Sequence, residues 1–324
     1  MSGTEVVQAR PAGQLAELDA LGQRAQDYAA KSKAPNTIRA YRTDWAHFVA
    51  WCDVRGFTIL PAPPEVVALY VAALAETHKP ATLTRRLSAI SQAHQAAGHE
   101  SPTRAAGVRR IMEGIRREKG TAPDAKAPVT IADLQAITRD HLPAGLKGTR
   151  DRALLLVGLA GAFRRSELAG IDREHVEFVG EGVVITLPRS KTDQEGAGRK
   201  TAIPFGHESG TCPVGALRAW ITAAGIEAGP VFRRVDRHGN VGAARLSSKA
   251  VALVVKHYMG RIGKDEAAYS GHSLRAGFCT AAAREGVEER DVMRQTGHKS
   301  VAMMRSYIRD GNLFRANAAG ALGL

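Results

Sequence analysis

Cysteine is scarce in this chain. Three residues, Cys52, Cys212 and Cys279, stand far apart in 324, with no C-x-x-C pair among them. That spacing argues against a disulfide scaffold and against structural zinc, and it fits a reducing compartment. Cys52 and Cys279 fall on apolar helical stripes, where a thiol behaves as a small core hydrophobe. Long apolar runs are missing too: none approaches the roughly 18 residues that a membrane-spanning helix needs. The opening residues, MSGTEVVQARPAGQ, lack the apolar centre of a signal peptide. Residues 1–14 therefore read as a flexible tail, and the protein as cytoplasmic with no membrane partner. No internal repeat is visible.

Acidic residues are under-represented: 32 Asp and Glu face 45 Lys and Arg, a formal net charge of +13. With a pI near 10.0, such a chain favours polyanions, either nucleic acid or an anionic membrane face. The membrane alternative requires a basic amphipathic anchor or a lipidation motif, and neither is evident. Charge supplies the class of partner and nothing about chemistry.

Glu118 to Val129 (EKGTAPDAKAPV) has no apolar periodicity and collects Gly, Pro and Ala. Residues 121–128 are the expected linker between a domain over 15–120 and a second over 129–324. Upstream the pattern is helical. Ile38, Tyr41, Trp45, Phe48, Val49 and Cys52 recur at steps of three and four, and Gly56 ends the run. Pro63-Pro64-Glu65 opens a second helix with Val67, Tyr70, Val71 and Leu74. Lys79-Pro80 precedes a third with Leu83, Leu87 and Ile90, and a fourth carries Val108, Ile111, Met112 and Ile115. Four such helices make a small bundle.

Downstream, Thr130-Ile131-Ala132-Asp133 has the form of a helix-opening cap. Helices are expected over Thr149–Ala162, from near Arg164, and around Val214–Ala224, Ser247–Met259, Ser273–Arg284, Arg290–Thr296 and Val301–Ile308. Val183–Leu187 and Thr201–Pro204 read as strands joined by the polar segment Arg189–Arg199. The fold class expected is mainly α in two domains: an N-terminal helical bundle and a C-terminal mixed α+β domain with a small antiparallel sheet.

On the third helix Thr82, Arg85 and Arg86 sit away from the apolar stripe. On the fourth, Arg109 and Arg116, and likewise Arg110 and Arg117, are seven apart and share a face. Only Glu113 and Glu118 relieve these cations. A solvated surface is one reading; helices presented to phosphates is the better one.

Four segments carry chemistry: Phe163-Arg164-Arg165-Ser166-Glu167-Leu168, Arg189-Ser190-Lys191-Thr192, His272-Ser273-Leu274-Arg275, and Gly297-His298 followed nine residues later by Tyr307. Each alone has an ordinary explanation: a structural ion pair, a solvated lysine, a helix cap, a packed tyrosine. Together they form a device for phosphodiester attack. Two arginines and two imidazoles can surround the charge that spreads over the non-bridging oxygens. A phenol, with an unperturbed pKa of about 10, becomes a plausible nucleophile in a strongly positive pocket. A loop lysine suits protonation of the departing alkoxide. No carboxylate cluster for magnesium is apparent, so arginine and lysine would take the place of metal.

These segments resemble those of the tyrosine recombinases, also called phage integrases. Ser270-Gly271-His272-Ser273-Leu274-Arg275-Ala276-Gly277 is similar to the family's His-x-x-Arg box. Gly297-His298-Lys299-Ser300 with Met304-Arg305-Ser306-Tyr307-Ile308-Arg309 is similar to its nucleophile segment. The likeness runs from about Asn36 to the C-terminus. It implies that Arg164 and Arg275 clamp the phosphate, Tyr307 attacks, Lys191 is the leaving-group acid and His272 assists proton transfer. It also implies that Glu167 holds another catalytic side chain. His298 stands where some members have tryptophan and many have histidine, and either a phosphate donor or a packing partner for the tyrosine fits it.

The same likeness implies a SAM-like core-binding bundle and a C-shaped clamp on double-stranded DNA. It implies a homotetramer on two sites, a 3′-phosphotyrosine intermediate, a Holliday junction, and no metal or energy cofactor. The setting implied is the nucleoid of a bacterium, or a phage or plasmid. Arg39, Arg85, Arg86 and, in the second domain, Lys249 become candidates for reading bases, with phosphate contact the alternative for each. A type IB topoisomerase, a telomere resolvase and a non-catalytic DNA-binding regulator are the competing readings.

Overall fold

The computed structural model describes residues 20–25, 27–28, 32–122, 125–188, 198–298 and 322. The chain divides into two compact units, Met1–Pro123 and Asp124–Leu324. The division falls within the 121–128 segment. No helix among the described residues is long and apolar enough to cross a membrane.

The first unit is built on α1 (Pro35–Asp53), α2 (Pro64–Ala75), α3 (Pro80–Ala96) and α4 (Ala106–Lys119). The first three start on proline, whose fixed φ and missing N–H suit the first helical position. α1 packs on α3 and α2 on α4. Phe48, Cys52, Val67, Tyr70, Leu83, Ile90, Val108, Met112 and Ile115 form the core between them. Cys52 is fully buried, as its stripe implies.

Arg86 departs from expectation. It is 9% exposed and turned into the bundle. Its Nη1 donates to the Tyr70 hydroxyl at 2.7 Å, and its Nη2 lies 3.3 Å from His78 Nε2. Its guanidinium is thus engaged inside the fold and does not lie on the outer face expected for it. The helical wheel could not reveal this, because the long side chain reaches back to a hydroxyl on α2.

The second unit opens with α5 (Ile131–Ala136). The expected cap is present: Thr130 Oγ1 accepts from the Asp133 N–H at 3.1 Å, and Asp133 Oδ2 accepts from the Thr130 N–H at 2.9 Å. α6 (Leu146–Ala160) is the central helix, with Ala153, Leu154, Leu155, Leu156 and Val157 buried. It packs against α8 (Pro213–Ala223) and α10 (Ser273–Arg284). Burial of each such leucine contributes roughly 1.5–3 kcal/mol. Between α6 and α8 come the short α7 (Arg165–Ala169) and an antiparallel sheet of β1 (Val176–Val179), β2 (Gly182–Leu187) and β3 (Arg199–Pro204), in the order β1-β2-β3. A second hairpin, β4 (Arg233–Val235) and β5 (Val241–Arg245), precedes α9 (Ser248–Arg261), and α11 (Glu289–Thr296) follows α10.

Three differences from the sequence reading matter. α6 stops at Ala160, two residues early, because the backbone turns left-handed at Ala162 (φ 49°). β3 starts at Arg199, two residues early, because β2 extends to Leu187 and pairs with it. β1, β4 and β5 were not expected: four residues with a charge inside, or a Gly-Ala run exposed on both faces, show no alternation. The expected helix over Val301–Ile308 lies outside the described residues.

Candidate active site

The turn after α6 sets the pocket. Gly161 admits the Phe163 ring, which would lie 2.2 Å from any Cβ placed there. Phe163 is buried in the core, and Arg164 follows it at the N-terminus of α7. Glu167 closes back on Arg164: its Oε2 accepts from the Arg164 backbone N–H at 2.9 Å, and its Oε1 accepts from Arg164 Nη1 at 2.5 Å. Both residues are buried. Glu167 thus makes two hydrogen bonds to Arg164.

Arg275 arrives from α10, 3% exposed. Its Nη1 donates to the Ala162 carbonyl at 2.8 Å. The left-handed turn at Ala162 aims that carbonyl inward, a strained conformation of the kind that gathers at functional sites. Arg275 Nη2 is enclosed and has no hydrogen-bond partner among the described residues. Burial, then the nearby Arg164 charge, lower its pKa to about 10.

His298 comes from the residue after the α11 C-cap, Gly297, and is 8% exposed. Its Nδ1 lies 2.8 Å from Thr296 Oγ1, whose own hydroxyl donates to the Val292 carbonyl at 2.7 Å. A hydroxyl has one proton, so Nδ1 carries the hydrogen and donates, and Nε2 is the basic nitrogen. Burial first, then Arg275, Arg164 and Arg199, push the imidazole pKa down to about 4. It is neutral at physiological pH.

Arg164, Glu167, Arg275 and His298 are therefore brought together from separate places in the chain. Sequence reasoning missed Arg199, which donates from Nη2 to Glu167 Oε2 at 3.4 Å and from Nη1 to the Gln295 carbonyl. The only available signal was alternation: residues 199, 201 and 203 share a strand face, and Thr201 and Ile203 are buried. Two guanidinium groups, those of Arg164 and Arg199, thus share the Glu167 carboxylate, and that of Arg275 lies close enough to feel its charge. His272 stands at the N-terminus of α10, one turn before Arg275, with an exposed side chain, and its backbone N–H donates to Ser270 Oγ at 3.1 Å. Lys191 falls in the segment joining β2 to β3, and it and Tyr307 lie outside the described residues.

Among residues expected at DNA, Arg39, Arg85, Arg109, Arg110, Arg116, Arg117 and Lys249 are exposed and Thr82 is half-buried. Arg85 is fixed by a bidentate contact to buried Asp44, at 2.7 and 3.1 Å. Lys249 sits in the first turn of α9.

The model of the phage integrase family matches residues 132–312, and that of the phage integrase N-terminal SAM-like domain matches residues 26–101. An integrase/recombinase xerD homolog of Selenomonas ruminantium is 44% identical over 291 residues, covering 89% of this chain and 85% of the relative. The recombinase cre of Escherichia phage P1 is a distant relative, 26% identical over 287 residues, 82% of this chain and 80% of its own. In architecture, the Tn1549 transposon integrase in complex with transposon right end DNA superposes with a TM-score of 0.61 at 16% identity, over 87% of this chain and 92% of that one. A lambda integrase dimer bound to a COC′ core site gives 0.59 at 17%, over 92% and 95%.

Proposed function

The chain belongs to the phage integrase family of tyrosine recombinases, and from that premise we propose that it exchanges DNA strands at specific sites through attack by Tyr307. The buried excess of positive charge carries this reading. Three arginines against one carboxylate, with an enclosed Arg275 N–H lacking a partner among the described residues, are costly unless an anion enters. A phosphodiester supplies that anion, and Arg164 and Arg275 are disposed as its clamp.

The steps follow from the side chains. The Tyr307 phenol gives up its proton, and His298 Nε2, made more basic once the phosphate offsets the arginine charges, is the acceptor we assign. The phenolate attacks phosphorus, a 3′-phosphotyrosine bond forms and the 5′-oxygen departs, taking a proton from Lys191. His272 assists that transfer. A 5′-hydroxyl from the partner strand then attacks the phosphotyrosine and releases Tyr307. Each step trades one phosphoester for another, so no energy source is consumed. Exchange of one strand pair gives a Holliday junction, and exchange of the second resolves it. Two sites require four protomers.

Arg39, Thr82, Arg85, Arg109, Arg110, Arg116, Arg117 and Lys249 are assigned to the DNA, the first group in the bundle and Lys249 in the second unit. The relatives and structural neighbours give no support to a topoisomerase, a telomere resolvase or a non-catalytic regulator.

The test uses covalent adduct on a nicked duplex carrying the cognate site. Tyr307→Phe is expected to bind that duplex and to form no adduct. Lys191→Ala is also expected to bind, with cleavage restored when sulfur replaces the bridging 5′-oxygen, because a thiolate leaves without a proton. Adduct from Tyr307→Phe sinks the nucleophile assignment. Failure of sulfur to rescue Lys191→Ala moves the acid role to His272.

A further inference from the structure

The Arg164–Glu167 pair and the turn bearing His298 lie on separate elements, and one side chain joins them. Arg199 opens β3 opposite Leu187. It shares its strand face with buried Thr201 and Ile203, so the pleat directs it inward even though it is charged. Only 17% of its side chain is exposed.

There the guanidinium fork contacts two elements at once, Glu167 on α7 and the Gln295 carbonyl on α11. Gln295 lies in the last turn of α11, where carbonyls lack intrahelical partners and the helix dipole favours a cation. The Gln295 side chain is fastened as well, donating to the carbonyls of Ala160 and Ala202 at 3.0 and 3.1 Å. Gly297 adopts φ +66°, and a Cβ there would stand 3.1 Å from Arg199 Cδ and Nε. A bare glycine lets the guanidinium lie against the turn.

Arg164 already gives Glu167 two shorter bonds, at 2.5 and 2.9 Å. Without Arg199, the Gln295 carbonyl loses the side-chain donor that ties it to the pocket.

We propose that Arg199 is a positioning residue for strand cleavage: its fork ties the C-terminal turn of α11 to Glu167 and so fixes where His298 stands beside Arg164 and Arg275. The proposal rests on the reading that His298 serves the reaction.

The test is a double-mutant cycle on the full chain. Arg199→Ala, His298→Ala and the double variant are compared for binding to a single-site duplex and for adduct rate at saturating nicked DNA. Arg199→Ala is expected to bind within about twofold of the parent and to form adduct roughly 30-fold or more slowly. The double variant is expected to be no slower than His298→Ala, within about threefold, because one role is lost once. Arg199→Lys keeps the charge but not the planar fork, and is expected to recover little of the rate. Arg199→Met, which keeps the apolar stem and loses the guanidinium fork, repeats the cycle should Arg199→Ala fail to fold.

Losses that multiply in the double variant, full rescue by lysine, or an unchanged rate in Arg199→Ala overturn the positioning role. A His298→Ala protein that forms adduct at the parent rate overturns it differently, by removing His298 from the reaction while leaving Tyr307 and the arginines in place.

Discussion

His298 is kept neutral by its surroundings, and stability carries the trace of that. Its folded pKa of about 4 lies below the ordinary 6.5. Between those values the unfolded chain binds a proton that the folded pocket refuses. Stability therefore rises with pH through this window, is fully present above about pH 6.5, and is lost as pH falls toward 4. The effect at pH 4.5 is of order 2–3 kcal/mol. Urea unfolding at pH 7 and pH 4.5 is expected to show a larger drop for the parent than for His298→Gln, by about that difference. Equal drops would mean that the imidazole is not shielded as its neighbours suggest. An arriving phosphate opposes the arginine charges and raises the imidazole pKa, so the basic nitrogen strengthens as substrate binds.

At the scale of the element, α4 is the clearest case of a helix whose two faces do different work. Val108, Met112 and Ile115 are buried, while Arg109, Arg110, Arg116 and Arg117 are exposed. Their assignment to phosphates has a numerical consequence. Removing one arginine that neutralises a phosphate makes the slope of log K against log salt shallower by about 0.9. The double variant Arg109→Gln/Arg116→Gln, altered on one face, is expected to bind less tightly and with a slope shallower by about 2. Binding measured between about 50 and 200 mM salt gives the answer. A slope unchanged by the double variant would return this face to the status of ordinary solvated surface.

At the scale of the whole molecule, the chain forms two units, each with its own core. We infer a tetramer on two sites, and the residues after Tyr307 as the link between protomers. Deleting Leu313–Leu324 is expected to leave single-site binding within a few-fold while abolishing paired-site complexes. Mass photometry of protein with a two-site duplex reads both. Normal pairing and recombination by the deleted protein would place the link elsewhere.

Much of this was legible in the linear chain. The heptad spacing of Arg109 and Arg116, the Thr130–Asp133 cap, the buried cysteines and the Arg164–Glu167 pairing depend on neighbours three to seven residues away, where helix geometry fixes what faces what. The motif order likewise named Arg164, Glu167, Arg275 and His298, and the structure gathers these four. The sequence could not tell an arginine that faces water from one that turns back onto a tyrosine hydroxyl, as Arg86 does onto Tyr70. Nor could it place Arg199 in the pocket, because that requires the β2–β3 register, the end of α11 and the left-handed Gly297 together. Local periodicity determined the helices and the chemistry on offer. Only tertiary packing decided which charges are buried side by side, because that depends on distances between elements far apart in the chain.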